Sequence, residues 1–144
     1  LTMGLGRTTR FARTPAGARR VNVMRAGGSG LKALAPPPDL FADFQRVKED
    51  LRKAGLDAGR RHAETFRRVH YRRRYLDAMR ASPAGMAALR AIVDAAGSAD
   101  IYLMCMCPYR TPDEACHTYL LLELARELDP GLPILPEPRP RGAR

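Results

Sequence analysis

The sequence predicts an α/β fold: a small, mainly parallel sheet flanked by helices in a three-layer sandwich. Three observations lead there. The β-branched alternation of residues 21–24 and the uncharged run at 101–105 read as strands. Amphipathic helical stretches fill the interval between them, and strands separated by helices pair in parallel. The length, 144 residues, suits one core rather than two. The expected division is a basic arm over residues 1–20, one α/β domain over 21–135, and a Pro/Arg-rich tail over 136–144.

Residues 1–20 are rich in Arg, Gly and Thr, without acid or clear period, and read as a flexible arm or at most an edge strand. An Arg-rich, acid-poor start also resembles an organelle transit peptide, the less favoured reading. Val21, Asn22, Val23 and Met24 form a short strand that Gly27, Gly28, Ser29 and Gly30 stop, because glycine tolerates positive φ. Pro36, Pro37 and Pro38 act as a stiff spacer, with Asp39 placed to cap a helix that runs to about Ala54. Leu40, Phe44, Val47 and Leu51 form the buried stripe of that helix.

Gly55 and Gly59 break the pattern, and a second helix is expected over residues 60–80, buried through Phe66, Val69, Leu76 and Met79. Ser82 should cap a third helix with Pro83 in its first turn and Gly97 at its end. Residues 101–105 carry no charge and read as a central strand buried on both faces. Pro112, Asp113 and Glu114 should open a fourth helix carrying Ala115, Tyr119, Leu122 and Ala125 inward. A short last strand is expected around residues 132–135, before a tail of prolines and arginines.

The formal charge of +10 is uneven: +7 over residues 1–38, +1 over the middle and +2 over residues 130–144. The excess therefore lies in the tails, and 22 of the 25 basic residues are Arg, a skew that GC-rich coding alone can produce. No apolar run approaches the roughly 18–20 residues needed to cross a bilayer, and no charged-then-apolar leader opens the chain. Three cysteines near a histidine suit reduced thiols better than a secreted disulfide framework. A soluble, cytoplasmic protein is the expectation.

The candidate chemistry gathers after the second strand. Cys105 and Arg110 are separated by four residues at a strand end that leads to a helix. Backbone N–H groups at a helix start, together with a guanidinium, lower a thiol pKa and hold an anion. Rhodanese-type sulfur carriers share that spacing, although Pro108 removes one amide from the supposed cradle. The competing reading makes Cys105 a small buried hydrophobe. Cys107, Cys116 and His117 are zinc-type donors, but their spacing departs from paired Cys motifs, so no metal and no cofactor is expected. His117 could serve as a general acid or base, or pack between helix and sheet.

His62 and His70 read as solvated surface. At 100° per residue Arg73 falls about 20° from Phe66, inside the apolar stripe of the second helix. A guanidinium there must pair with a buried carboxylate or enter an anion site. Both open-sheet strands end where ligands usually sit, so Arg25 and Cys105 should share one crevice.

The stretch Leu34-Ala35-Pro36 through Leu40 and Phe44, the aromatics Tyr71 and Tyr75 with Leu76, and Ile101-Tyr102-Leu103-Met104-Cys105 followed by Cys116-His117 resemble a family catalogued as "domain of unknown function 488". The resemblance covers about residues 21–128. Two departures stand out: Thr118 where the family often has arginine, and Asn22-Val23-Met24-Arg25 where it often has Asp-Val-Arg. The resemblance implies a three-layer α/β fold and a crevice, with no settled activity.

Two functions follow as expectations. In the first, Cys105, Cys107 and His117 are catalytic and Arg25, Arg73, Arg110 and Cys116 bind a small anion such as phosphate, sulfate or carboxylate. In the second, the basic arm, the Arg-rich helix and the tail bind nucleic acid through its phosphates. No interleaved aromatic platform or groove-reading motif accompanies that charge.

Overall fold

A computed structural model describes residues 3–24 and 31–141. The expected glycine turn and Arg25 lie outside them. The described chain is a small α/β sandwich. Its three strands are β1 (Leu5–Thr9), β2 (Arg19–Asn22) and β3 (Ile101–Cys105), and its helices are α1 (Pro38–Lys53), α2 (Ala58–Arg68), α3 (Tyr71–Arg80), α4 (Pro83–Ala96) and α5 (His117–Leu128). The sheet is parallel throughout in the order β1-β3-β2, so the uncharged run forms its centre. Leu5 stands opposite Ile101 and Thr9 opposite Cys105 on one side, and Arg19 opposite Ile101 on the other.

All five β1 residues are buried although the strand lies at the edge of the sheet. The C-terminal segment covers it: Leu5 N–H donates to the Pro133 carbonyl (3.0 Å), and Leu135 N–H donates to the Leu5 carbonyl (2.9 Å). Glycine permits this approach. A Cβ at Gly6 would meet Leu135 Cβ and the Tyr102 ring at 3.0 Å. The strand expected around residues 132–135 is thus reduced to a single parallel bridge, Leu5 to Ile134.

β2 starts two residues earlier than expected, and Val23, buried just past its end, still donates its N–H to the Met104 carbonyl (3.2 Å). Pro37 occupies the N-cap of α1 with Pro38 at its start, so Asp39 lies in the first turn instead of capping. α4 matches its expected limits: Ser82 Oγ accepts from Gly85 N–H (3.0 Å), and Gly97 follows the last turn. Ser82→Ala should therefore lower stability by about 1 kcal/mol, read as a shift of the urea midpoint at constant slope.

The single helix expected over residues 60–80 is two. His70 adopts a left-handed conformation (φ 54°) between α2 and α3. Histidine is among the residues that tolerate this region, and Val69 beside it is a weak helix former. The break resets the helical phase, which is why Arg73 leaves the stripe that continues from Phe66 and becomes exposed. The half-buried neighbour Arg74 turns to acids of α1 instead, pairing with Asp43 (2.9 Å) and Asp39 (3.4 Å).

Between the helices and the sheet lies one core, built on Leu103, Ile101 and Leu5 from the strands and on Leu40, Tyr75, Leu89, Leu121 and Leu124 from the helices. Phe66, Tyr71 and Tyr75 stack in sequence, with centroids 4.5 and 5.9 Å apart. Tyr75, fully enclosed, donates its hydroxyl to the Leu34 carbonyl (2.6 Å). No helix among the described residues is long and apolar enough to cross a membrane.

Candidate functional site

The site forms where β1 and β3 end and α5 begins. Expectation placed the start of α5 at Pro112, but Pro112–Glu114 make a separate 3-10 turn in which Asp113 (φ 54°) and Glu114 (φ 52°) are left-handed. Cys116 thereby becomes the extended N-cap of α5. That placement brings its Sγ to 3.3 Å from Cys105 Sγ at the end of β3. Cys107, two residues beyond the strand, completes a cluster whose three sulfurs all lie within 4.8 Å of one another. Cys105 and Cys116 are buried and Cys107 is half-buried.

Arg7 supplies the charge, and the sequence reading did not single it out. It sits in the middle of β1 at 2% exposure. Its Nε donates to Thr118 Oγ1 (2.8 Å), Nη1 to the Tyr119 hydroxyl (2.9 Å), and Nη2 to Cys105 Sγ (3.3 Å) and Thr111 Oγ1 (3.2 Å). Glu137, from the C-terminal segment, forms an ion pair with it and also accepts the Arg110 N–H (2.6 Å). A buried guanidinium requires such a set of acceptors. Its only early signal was the pair Thr8-Thr9 after Leu5, a β-prone stretch that two nearby glycines obscured.

Thr118 lies in the first turn of α5. Its hydroxyl donates to Cys116 Sγ (3.1 Å) and accepts from Nε of Arg7 on β1 (2.8 Å). Burial would raise the Cys116 pKa, but hydrogen bonds with Cys105 and Cys107 and the Arg7 charge outweigh it and hold this thiol well below its ordinary value. The Cys107 thiol is pushed up by its hydrogen bonds with Cys105 and Cys116 and by burial. At Cys105 the bond with Cys107 acts downward, yet the bond to Cys116 and burial raise it overall. Of the three thiols, only that of Cys116 is drawn downward.

His117 is buried, and its Nε2 lies 2.8 Å from the Val23 carbonyl. A carbonyl only accepts, so Nε2 carries the proton and Nδ1, 4.0 Å from Cys116 Sγ, keeps its lone pair. Burial lowers the pKa of this ring and keeps it neutral. His62, read from sequence as solvated surface, is half-buried. Its Nε2 lies 2.6 Å from the Ala115 carbonyl and 3.7 Å from Cys107 Sγ. Burial lowers its pKa too. The packing of α2 on the 3-10 turn brings it in, a contact that no local sequence pattern announces.

A cavity of about 320 Å3 opens beside the cluster, with all three cysteines and both of these histidines in its wall. Phe41, Phe44, Phe66 and Tyr71 make the wall largely apolar, and Lys48 places a cation in it. Arg73 and Arg110 do not line this cavity. Arg110 is exposed, with its guanidinium 5.2 Å from the centroid of its neighbour Tyr109. In the stretch from Cys105 to Arg110, the Arg110 backbone N–H is taken by Glu137.

The Arg-rich helices spend much of their charge internally. Arg67 and Arg68 pair with Glu64, Arg72 with Glu123 and Arg80 with Glu127. Together the fold and the site define an α/β sandwich with a three-thiol, one-guanidinium cluster at the carboxyl ends of its parallel strands. The chain matches no family model, no curated protein and no solved structure.

Proposed function

We propose that the protein binds a small molecule with an apolar body and an anionic end in the cavity at the strand ends, with the sulfur cluster as its reactive centre. One observation carries this reading: Cys105, Cys107 and Cys116 all line the same space of about 320 Å3. That volume lies at the lower end of ordinary small-ligand sites, roughly 300 Å3 upward. The phenylalanines and Tyr71 suit an apolar body. Lys48 and the N-terminus of α5 suit an anionic end. His117 offers an unprotonated Nδ1 beside Cys116.

The cation in this reading is Lys48, and Arg7 acts indirectly by holding Cys105, Thr111 and Thr118 in place. Of the three thiols, half-buried Cys107 is the one a ligand or reagent meets first. The test is the rate at which iodoacetamide labels Cys107 in reduced, metal-free protein. Benzoate and phenyl phosphate should slow labelling several-fold and saturably, acetate and inorganic phosphate should not, and Lys48→Ala should weaken the protection. Labelling unaffected by either aryl anion would remove the reading.

A further inference from the structure

The three sulfurs stand in an arrangement suited to a metal ion. In a tetrahedral zinc thiolate, with Zn–S near 2.3 Å, sulfurs lie about 3.8 Å apart. Here the Cys105 and Cys116 sulfurs stand 3.3 Å apart, and all three sulfurs lie within 4.8 Å of one another. Small side-chain rotations would reach the required spacing without moving a helix or strand.

The surroundings supply what such a centre needs. Three thiolates around a divalent cation carry one net negative charge, and the Arg7 guanidinium lies 3.3 Å from Cys105 Sγ to offset it. Thr118 donates its hydroxyl to Cys116 Sγ at 3.1 Å, the kind of outer hydrogen bond that orients a ligating sulfur. His117 gives its Nε2–H to the Val23 carbonyl, which leaves the Nδ1 lone pair on the side of Cys116. Half-buried Cys107, on the cavity wall, gives a path of entry.

We propose that Cys105, Cys107 and Cys116 together bind one soft cation, Zn2+ being the representative case, with a fourth position left for a further donor. This inference rests on the sulfur-centred site proposed above. Binding forms three metal–sulfur bonds and releases to solvent whatever protons the thiols still carry; no electron is transferred. In the sequence the spacing argued against a metal, because Cys105, Cys107 and Cys116 follow no paired motif. The left-handed Asp113 and Glu114 fold the intervening loop back, so that the third sulfur returns to the first two.

The experiment is an anaerobic titration of the reduced full chain with Co2+, followed by Zn2+. One equivalent of Co2+ should produce the intense visible absorption of a tetrahedral cobalt site with sulfur-to-cobalt charge transfer in the near ultraviolet. Zn2+ should bleach it, and Cys107 should resist iodoacetamide until a chelator is added. Cys107→Ser should lose the charge-transfer intensity while keeping its far-ultraviolet circular dichroism. Should that variant unfold, the shielding of Cys107 by Zn2+ in the wild-type chain decides alone. Absent cobalt absorption with Cys107 still freely labelled in Zn2+ would overturn the metal centre, as would a folded Cys107→Ser variant with an undiminished spectrum. Shielding of metal-free Cys107 by benzoate without metal uptake would overturn the metal centre and leave the cavity reading standing. Metal uptake without benzoate shielding would do the reverse.

Discussion

Replacing Arg7 with methionine is expected to destabilise the protein by about 3–5 kcal/mol, the range for breaking a buried ion pair by removing one partner. The side chain is enclosed, and its loss would leave the Glu137 carboxylate without its countercharge. Thr111, Thr118 and Cys105 would also lose a donor. The variant Glu137→Gln in the Arg7→Met background should recover part of the loss, because a neutral amide costs less to leave in place than an unpaired carboxylate. Equilibrium urea unfolding of the two variants measures both quantities. A single-variant loss under about 1 kcal/mol would mean that Arg7 does not hold the strand ends and the C-terminal segment together.

Leu103→Ala should cost about 2–5 kcal/mol, the range for emptying a fully packed aliphatic position. Leu103 is at 0% exposure in the middle of the central strand, with β1 and β2 paired on either side. Little around it can relax, because both flanking strands are fixed by backbone hydrogen bonds. The urea midpoint should fall with the slope preserved. The two substitutions lie on neighbouring strands in register, Arg7 opposite Leu103. Their effects should therefore depart from simple addition when combined.

The elements that the sequence made legible are those whose signals are local. Ser82, Pro83 and Gly97 bracket α4 because capping and proline geometry act within one helical turn. The uncharged run at residues 101–105 became β3 at its expected limits because a strand with neighbours on both sides buries four of its five residues, Met104 staying half-buried. The crowding of Cys105, Cys107, Cys116 and His117 was legible too, since 13 residues contain all four.

What the sequence left open was decided by contacts between distant segments. Sequence alone determined the α/β class, the central strand and the cysteine-rich turn, since residue periodicity and composition act locally. Tertiary structure decided which charge serves that turn. Arg7, from a stretch read as an arm or edge strand, is 98 residues from Cys105 in sequence and 3.3 Å from its sulfur in space. The break at His70 moved Arg73 out of the apolar stripe, and the packing of α2 brought His62 to the thiols in its place. A buried guanidinium is tolerated only where acceptors from several elements converge. Here they come from β3, the following turn, α5 and the C-terminal segment, and that convergence exists only once the chain has folded.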